Sequence, residues 1–154
     1  MTRLAVFIST AAYTGYFPIA PGTVGSAVGL VVYGLVWWSG SMLVEIGLIV
    51  ALFAAGVWAA TRTEQYFGSI DPGPIVLDEV VGMLITLAFI PVGWTAALAG
   101  FLLFRIFDII KPYPASKLEL LHGGFGVMAD DAMAAIYANV TLRFVMWLMP
   151  AYIA

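Results

Sequence analysis

Between Leu4 and Thr61 the chain carries one charged side chain, Glu45, and between Val80 and Phe104 it carries none. Runs this long without charge are kept from water either by one another or by lipid. Composition decides between the two. Hydrophobic residues make up 63% of the 154 positions and charged ones 10%, where a soluble domain carries about 25%. A soluble fold of this size leaves roughly 30% of its unfolded surface in water, and so apolar a chain cannot cover that surface with polar groups. A soluble enzyme and a disordered chain are therefore excluded. Six Lys+Arg against nine Asp+Glu, a formal charge of −3, also exclude a nucleic-acid binder, which needs a basic stripe. The chain reads as a membrane-embedded protein with one domain over residues 1–154. Backbone groups in hydrocarbon must find partners and a helix pairs them locally, so the expected class is all-α, a multi-span helical membrane bundle.

The apolar runs set the expected helices. Val24–Trp38 ends at Ser39-Gly40-Ser41, with Trp37 and Trp38 at headgroup level. Met42–Thr61 is long enough to cross about 30 Å of hydrocarbon. Val80–Ile90 and Thr95–Ile110 flank a Pro-Val-Gly-Trp turn and read as a hairpin of short helices, either spanning or re-entrant; Ala132–Ala154 is a last helix of spanning length. Met1–Thr10 lacks the cleavage pattern of a secretory leader. With Arg3 on the cytoplasmic side, alternating spans bring the polar Gly/Pro-rich loops and five of the six basic residues to the cytoplasmic face, as the positive-inside rule expects.

Twelve of the fifteen charges fall in two windows, Arg62–Glu79 and Arg105–Asp131, and four segments there and near the N-terminus can carry chemistry. Ser9–Ser26 gathers three glycines, two prolines and several hydroxyls ahead of a span, Gly22, Thr23 and Ser26 among them. It reads either as an entry loop in which Thr23 or Ser26 caps the helix, or as a phosphate-binding nest at a helix N-terminus. Asp78 and Glu79 open an apolar helix, where acids suit the positive end of the dipole. They also lie next to lipid, where an unpaired carboxylate is expensive and usually functional. Arg105, Asp108 and Lys111 are spaced i, i+3 on one helix face, as an intrahelical charge ladder or as a metal-bound Asp108 between two phosphate-holding cations. Gly123–Asp131 runs a Gly-rich loop into Asp130 and Asp131, as a helix cap or a metal cradle. Hard oxygen ligands without thiolates select Mg²⁺ or Mn²⁺, ions that serve phosphoryl chemistry. No cysteine is present, which removes disulfides, thiolate zinc sites and a Cys nucleophile; one histidine, His122, excludes any mechanism that needs two. His122 reads as a loop hydrogen-bonder, Glu45 as an interfacial group on the far side, and Arg143 as a snorkelling or ion-paired residue with no catalytic role. Asn139 reads as a hydrogen-bonder between helices.

At four ordered motifs the chain resembles the phosphatidylglycerophosphatase A family. They are Pro-x-Ala-Pro-Gly-Thr-x-Gly-Ser at Pro18–Ser26, Asp-Pro-x-x-Ile-Val-x-Asp-Glu-x-x-Gly at Asp71–Gly82, Phe-Arg-x-Phe-Asp-Ile-x-Lys-Pro-x-Pro at Phe104–Pro114 and Gly-Gly-x-Gly-Val-Met-x-Asp-Asp at Gly123–Asp131. The resemblance implies a bacterial inner-membrane enzyme that removes the terminal phosphate of phosphatidylglycerophosphate in a Mg²⁺-dependent reaction. It implies one or two ions held by Asp78, Glu79, Asp108, Asp130 and Asp131. Arg105 and Lys111 then stabilise the transition state, with Gly22, Thr23 and Ser26 on the phosphate, and the nucleophile is water or an aspartate. The rival class is a membrane cation or solute carrier with the acids lining its path; broken helices or inverted repeats would mark it. A lipid-synthesising transferase would show an Asp-x-x-Asp-Gly pattern, which is absent.

Overall fold

A computed structural model of the chain describes residues 2–90 and 93–149. These residues are helical, with no strand among them: α1 Thr2–Ser9, α2 Pro21–Ser39, α3 Met42–Phe67, α4 Leu77–Leu87, α5 Trp94–Ile110, α6 Ala115–Leu118 and α7 Gly124–Leu148, with a short 3₁₀ turn at Thr14–Tyr16. By length and composition α2 and α3 are apolar enough to cross a membrane.

Local chemistry explains most boundaries. Gly40, at φ 61°, closes α2, and Ser41 caps α3 by accepting the Val44 N–H at 3.4 Å. α3 continues six residues past Thr61, carrying Arg62 and Glu64 in its last turns, and stops at Gly68, whose φ of 69° supplies the left-handed exit. The first charge therefore did not end the helix. α7 begins eight residues before Ala132, because Thr61 Oγ1 accepts the Gly124 N–H at 2.8 Å and turns the glycine loop into the first helical turn. The expected end of that helix, residues 150–154, lies outside the described residues, as do Pro91 and Val92 of the Pro-Val-Gly-Trp turn.

α4 departs most from expectation. It pairs with α5 as expected, Gly82 against Phe104 and Leu87 against Gly100, but it is also the central helix, packed chiefly between α2 and α7. Nine of its eleven residues are buried, because it is apolar on all sides below its first turn. At 1.5 Å per residue it is about 16 Å long, half a hydrocarbon thickness. Met83, Leu84 and Leu87 of α4 meet Phe104 of α5 and Ala134, Ala138 and Leu142 of α7 in the main core.

A helix ending inside a bundle leaves carbonyls without partners, and α7 supplies them. Asn139 Nδ2 donates to the carbonyls of Ile85, Thr86 and Ala88 at 2.9–3.2 Å, and Arg143 Nη2 to those of Ala88 and Phe89 at 2.9 and 3.2 Å. Arg143 thus meets backbone and Asn139, not an acid. Glu45 accepts the Phe89 N–H at 3.3 Å on the far side, beside a cavity of about 330 Å³ that also touches Tyr33 and Trp37. Trp37, Trp38, Trp94 and Trp147, from three helices, stand exposed toward this same end.

Candidate active site

The opposite end gathers the charge. The N-termini of α2, α4 and α7 and the C-terminus of α5 point there, so three helices present the positive ends of their dipoles to one place. Asp78 and Glu79 lie in the first turn of α4, and Arg105 and Asp108 in the last turns of α5. Lys111 sits just beyond α5 in the left-handed conformation, at φ 44°. Asp130 and Asp131 fall in the second turn of α7, so neither is the cap of that helix.

The start of α4 is held from outside the site. Val76 N–H donates to the Ser9 carbonyl at 2.9 Å, and the Ser9 and Thr63 hydroxyls are 2.8 Å apart. These contacts join residues 67 positions apart through backbone and 54 apart through two hydroxyls that in sequence look like those of ordinary small helix residues. Ser9 falls in the N-terminal segment that the sequence marks out, whereas nothing in the sequence marks Thr61 or Thr63.

Geometry divides the five acids into two groups. Asp78, Glu79 and Asp131 bring one oxygen each to within 4.8 Å of one another. Each of the three also has a buried oxygen without a hydrogen-bond partner: Asp78 Oδ1, Glu79 Oε2 and Asp131 Oδ2. Three carboxylates this close repel one another in a weakly solvated site unless a cation lies among them. Their hard oxygens, drawn from α4 and α7, suit a small divalent ion. The other two acids are engaged by cations. Asp108 Oδ2 takes Arg105 Nη1 at 2.5 Å, with Lys111 Nζ 3.9 Å from its second oxygen. Asp130 takes Lys111 on one oxygen and the Asp131 N–H at 2.9 Å on the other.

Arg105 and Lys111 sit between the groups. Arg105 Nη1 is 3.7 Å from Glu79 Oε1, and its Nε is buried without a partner. Lys111 lies 3.9 Å from Asp131 and 3.7 Å from Glu119, which sequence reasoning had left out of the site. Burial alone would lower the Lys111 pKa. The bond to Asp130 and the charges of Asp131, Asp130 and Asp108 outweigh it and hold the ammonium protonated well above its ordinary range.

The N-terminal loop enters differently from expectation. Neither Thr23 nor Ser26 caps α2: Ala20 precedes it at φ 49° and Pro21, which has no N–H to satisfy, opens it. Ser26 donates to the Gly22 carbonyl at 2.9 Å, which engages the proton a phosphate would need, and Thr23 is exposed at the mouth. Gly22 is the residue that reaches the site. A Cβ there would collide with Glu79 Oε1 and lie 3.0 Å from Arg105 Nη1, so only glycine lets the α2 backbone come this close. His122 is exposed at the rim.

Comparison with known proteins bears directly on these residues. The family described as Phosphatidylglycerophosphatase A matches residues 7–146. A Bacteroides thetaiotaomicron protein that carries the provisional name phosphatidylinositol-3-phosphatase is 37% identical over 95% of the chain and 96% of its own length. Phosphatidylglycerophosphatase A of Haemophilus influenzae is 41% identical over 88% of the chain and 85% of its own length. Phosphatidylglycerophosphatase A of Escherichia coli is 36% identical over 86% and 77%. No solved structure matches. The matched region takes in α2, α4, α5 and nearly all of α7, and with them every acid and base of this site: the chain belongs to the phosphatidylglycerophosphatase A family.

Proposed function

We propose that the chain hydrolyses the terminal phosphate monoester of phosphatidylglycerophosphate, releasing phosphatidylglycerol and phosphate, with Mg²⁺ or Mn²⁺ held by Asp78, Glu79 and Asp131. The observation that carries this reading is the set of three converging carboxylates, each with an unpartnered oxygen, beside the free Nε of Arg105. When bound, a divalent cation supplies charge neutralisation and activation of water for phosphoryl transfer. The chain's own residues do the rest. Arg105 and Lys111 offer fixed positive charge to the phosphoryl oxygens as negative charge builds on them. Asp108 and Asp130 hold those two cations in place, a supporting role rather than direct ligation of the metal. Gly22 brings the positive end of α2 against Arg105, where its dipole favours the same dianion.

A phosphate borne on a lipid needs a site at headgroup level. The reading is of a multi-pass protein of the bacterial inner membrane with the charged end toward the cytoplasm, supported by Arg3, Arg62, Lys111 and Lys117 at that end and the tryptophans at the other. A carrier is disfavoured. The half-length α4 has the look of a broken helix, but the acids cluster at one end instead of lining a path. The deep end of α4 is closed by Asn139 and Arg143.

The purified protein in mixed micelles is expected to release phosphate from phosphatidylglycerophosphate, to stop in EDTA and to resume on addition of Mg²⁺ or Mn²⁺. Activity indifferent to EDTA would overturn the metal assignment. The Bacteroides relative's name makes a phosphatidylinositol 3-phosphate the comparison substrate; faster turnover of that lipid would move the headgroup assignment and leave the monoesterase reading in place.

A further inference from the structure

Away from the acids, α1, the loop that follows it and the end of α3 line a second, half-open pocket of about 310 Å³, formed by Thr2, Arg3, Val6, Tyr13, Tyr16 and Tyr66. Its polar groups are donors: one guanidinium, the Thr2 hydroxyl and three phenols, with no carboxylate in the lining. Among the described residues every ion pair uses Arg105 or Lys111. Arg3 therefore has no acidic partner, and neither has Arg62, which lies one helical turn before Tyr66 on the same face of α3. In a chain of net charge −3 this is an uncompensated positive corner.

Its surroundings place it at a membrane surface. Leu4 and Phe7 point outward from α1 and are exposed, as are Tyr13, Tyr16, Tyr66 and Phe67. α1 therefore presents an apolar face to lipid while Arg3 and the phenols sit level with the headgroups. The volume is at the low end for small-molecule sites and suits one headgroup. Three tyrosines alone would also suit a quaternary ammonium, but Arg3 repels a cation and attracts a phosphodiester.

We propose that this pocket binds the headgroup of an anionic phospholipid of the bilayer, at a place separate from the catalytic acids. The lipid would rest on the wall that seats α4. Tyr13 and Tyr16 flank Gly15, whose Cα lies so close to the Pro74 carbonyl that any Cβ would clash with it. Pro74 is four residues before Asp78.

The test uses the full chain in detergent, titrated with phosphatidylglycerol or with phosphatidylcholine of the same acyl chains, and counts retained lipids by native mass spectrometry. The wild-type protein is expected to retain phosphatidylglycerol in preference to phosphatidylcholine. Arg3→Gln combined with Tyr66→Phe, both at exposed positions, is expected to weaken that retention roughly tenfold, the loss of about one charge-assisted bond. Arg105→Gln is expected to leave it in place. Equal retention of both lipids overturns the proposal. So does a preference that survives Arg3→Gln/Tyr66→Phe or vanishes in Arg105→Gln, since the lipid would then occupy the catalytic site. Circular dichroism and elution volume show that each variant is folded.

Discussion

Asp78, Glu79 and Asp131 each keep one buried oxygen without a partner, whereas Asp108 and Asp130 are engaged by Arg105 and Lys111. That division predicts two kinds of variant. Under the proposed metal reading, Asp78→Asn and Asp131→Asn each remove a ligand charge and are expected to lower phosphate release about 10²–10³-fold, with the Mg²⁺ titration shifted to higher concentration. Asp108→Asn takes the close partner from Arg105, while Lys111 keeps Asp130 and the three converging carboxylates keep their charge. It is expected to lose about 10–100-fold with an unchanged Mg²⁺ titration, and parallel Mg²⁺ titrations of all three variants check both statements. Gly22→Ala is a third case: its methyl has to displace Glu79 or Arg105, and a misplacement of about 1 Å there is expected to cost roughly 10²-fold in rate in a protein that still folds. The residues that meet at this site all lie in the two charged windows or the first Gly/Pro loop, and so were visible as candidates. Which carboxylate faces a cation and which is left open was not visible. It is decided by how α4 packs against α7, and the two segments are about fifty positions apart.

At the scale of elements, sequence patterning located the helices and misjudged their ends. Uncharged runs of helical length have no other way to pair their backbone in lipid, so α2, α3, α5 and α7 were all expected. The ends of α3 and α7 were misplaced because charge was taken to mark a boundary. In fact glycine geometry and a hydroxyl from a neighbouring helix mark it, at Gly68 and at Thr61. The position of α4 was missed as well. A short apolar run reads the same whether its hairpin lies at the edge of a bundle or is enclosed by other helices, and only the donors on α7 reveal which. Asn139→Leu removes the side-chain donor to the carbonyls of Ile85 and Thr86, and Arg143→Leu removes the donor to Phe89 and the bond that holds the Asn139 side chain in place. Each is expected to lower stability by about 1–3 kcal/mol, measured by denaturant unfolding in detergent. Activity should fall along with it, although both residues lie at the opposite end of the helix from Asp78.

The whole molecule is polarised along its axis. Tyr13, Tyr16, Tyr66 and Tyr113 are exposed near the charged end, and Trp37, Trp38, Trp94 and Trp147 near the other. Two aromatic bands of this kind suit the two faces of a bilayer. Because the chain has no cysteine, a single introduced thiol reports orientation without a background. Ser41→Cys is expected to react with an impermeant maleimide on intact spheroplasts, and Lys117→Cys only after the membrane is opened; the reverse pattern would invert the topology. The placement of α4 also bears on the order of synthesis. α4 leaves the ribosome well before α7, yet nine of its eleven residues are meant for protein contact and its last carbonyls are meant for Asn139 and Arg143. Until the last part of the chain has been made, this segment has α2 beside it but neither α7 nor its cap, and Asp78 and Glu79 lack Asp131. Assembly of the fold and assembly of the proposed catalytic centre are thus completed by the same late event, the docking of α7.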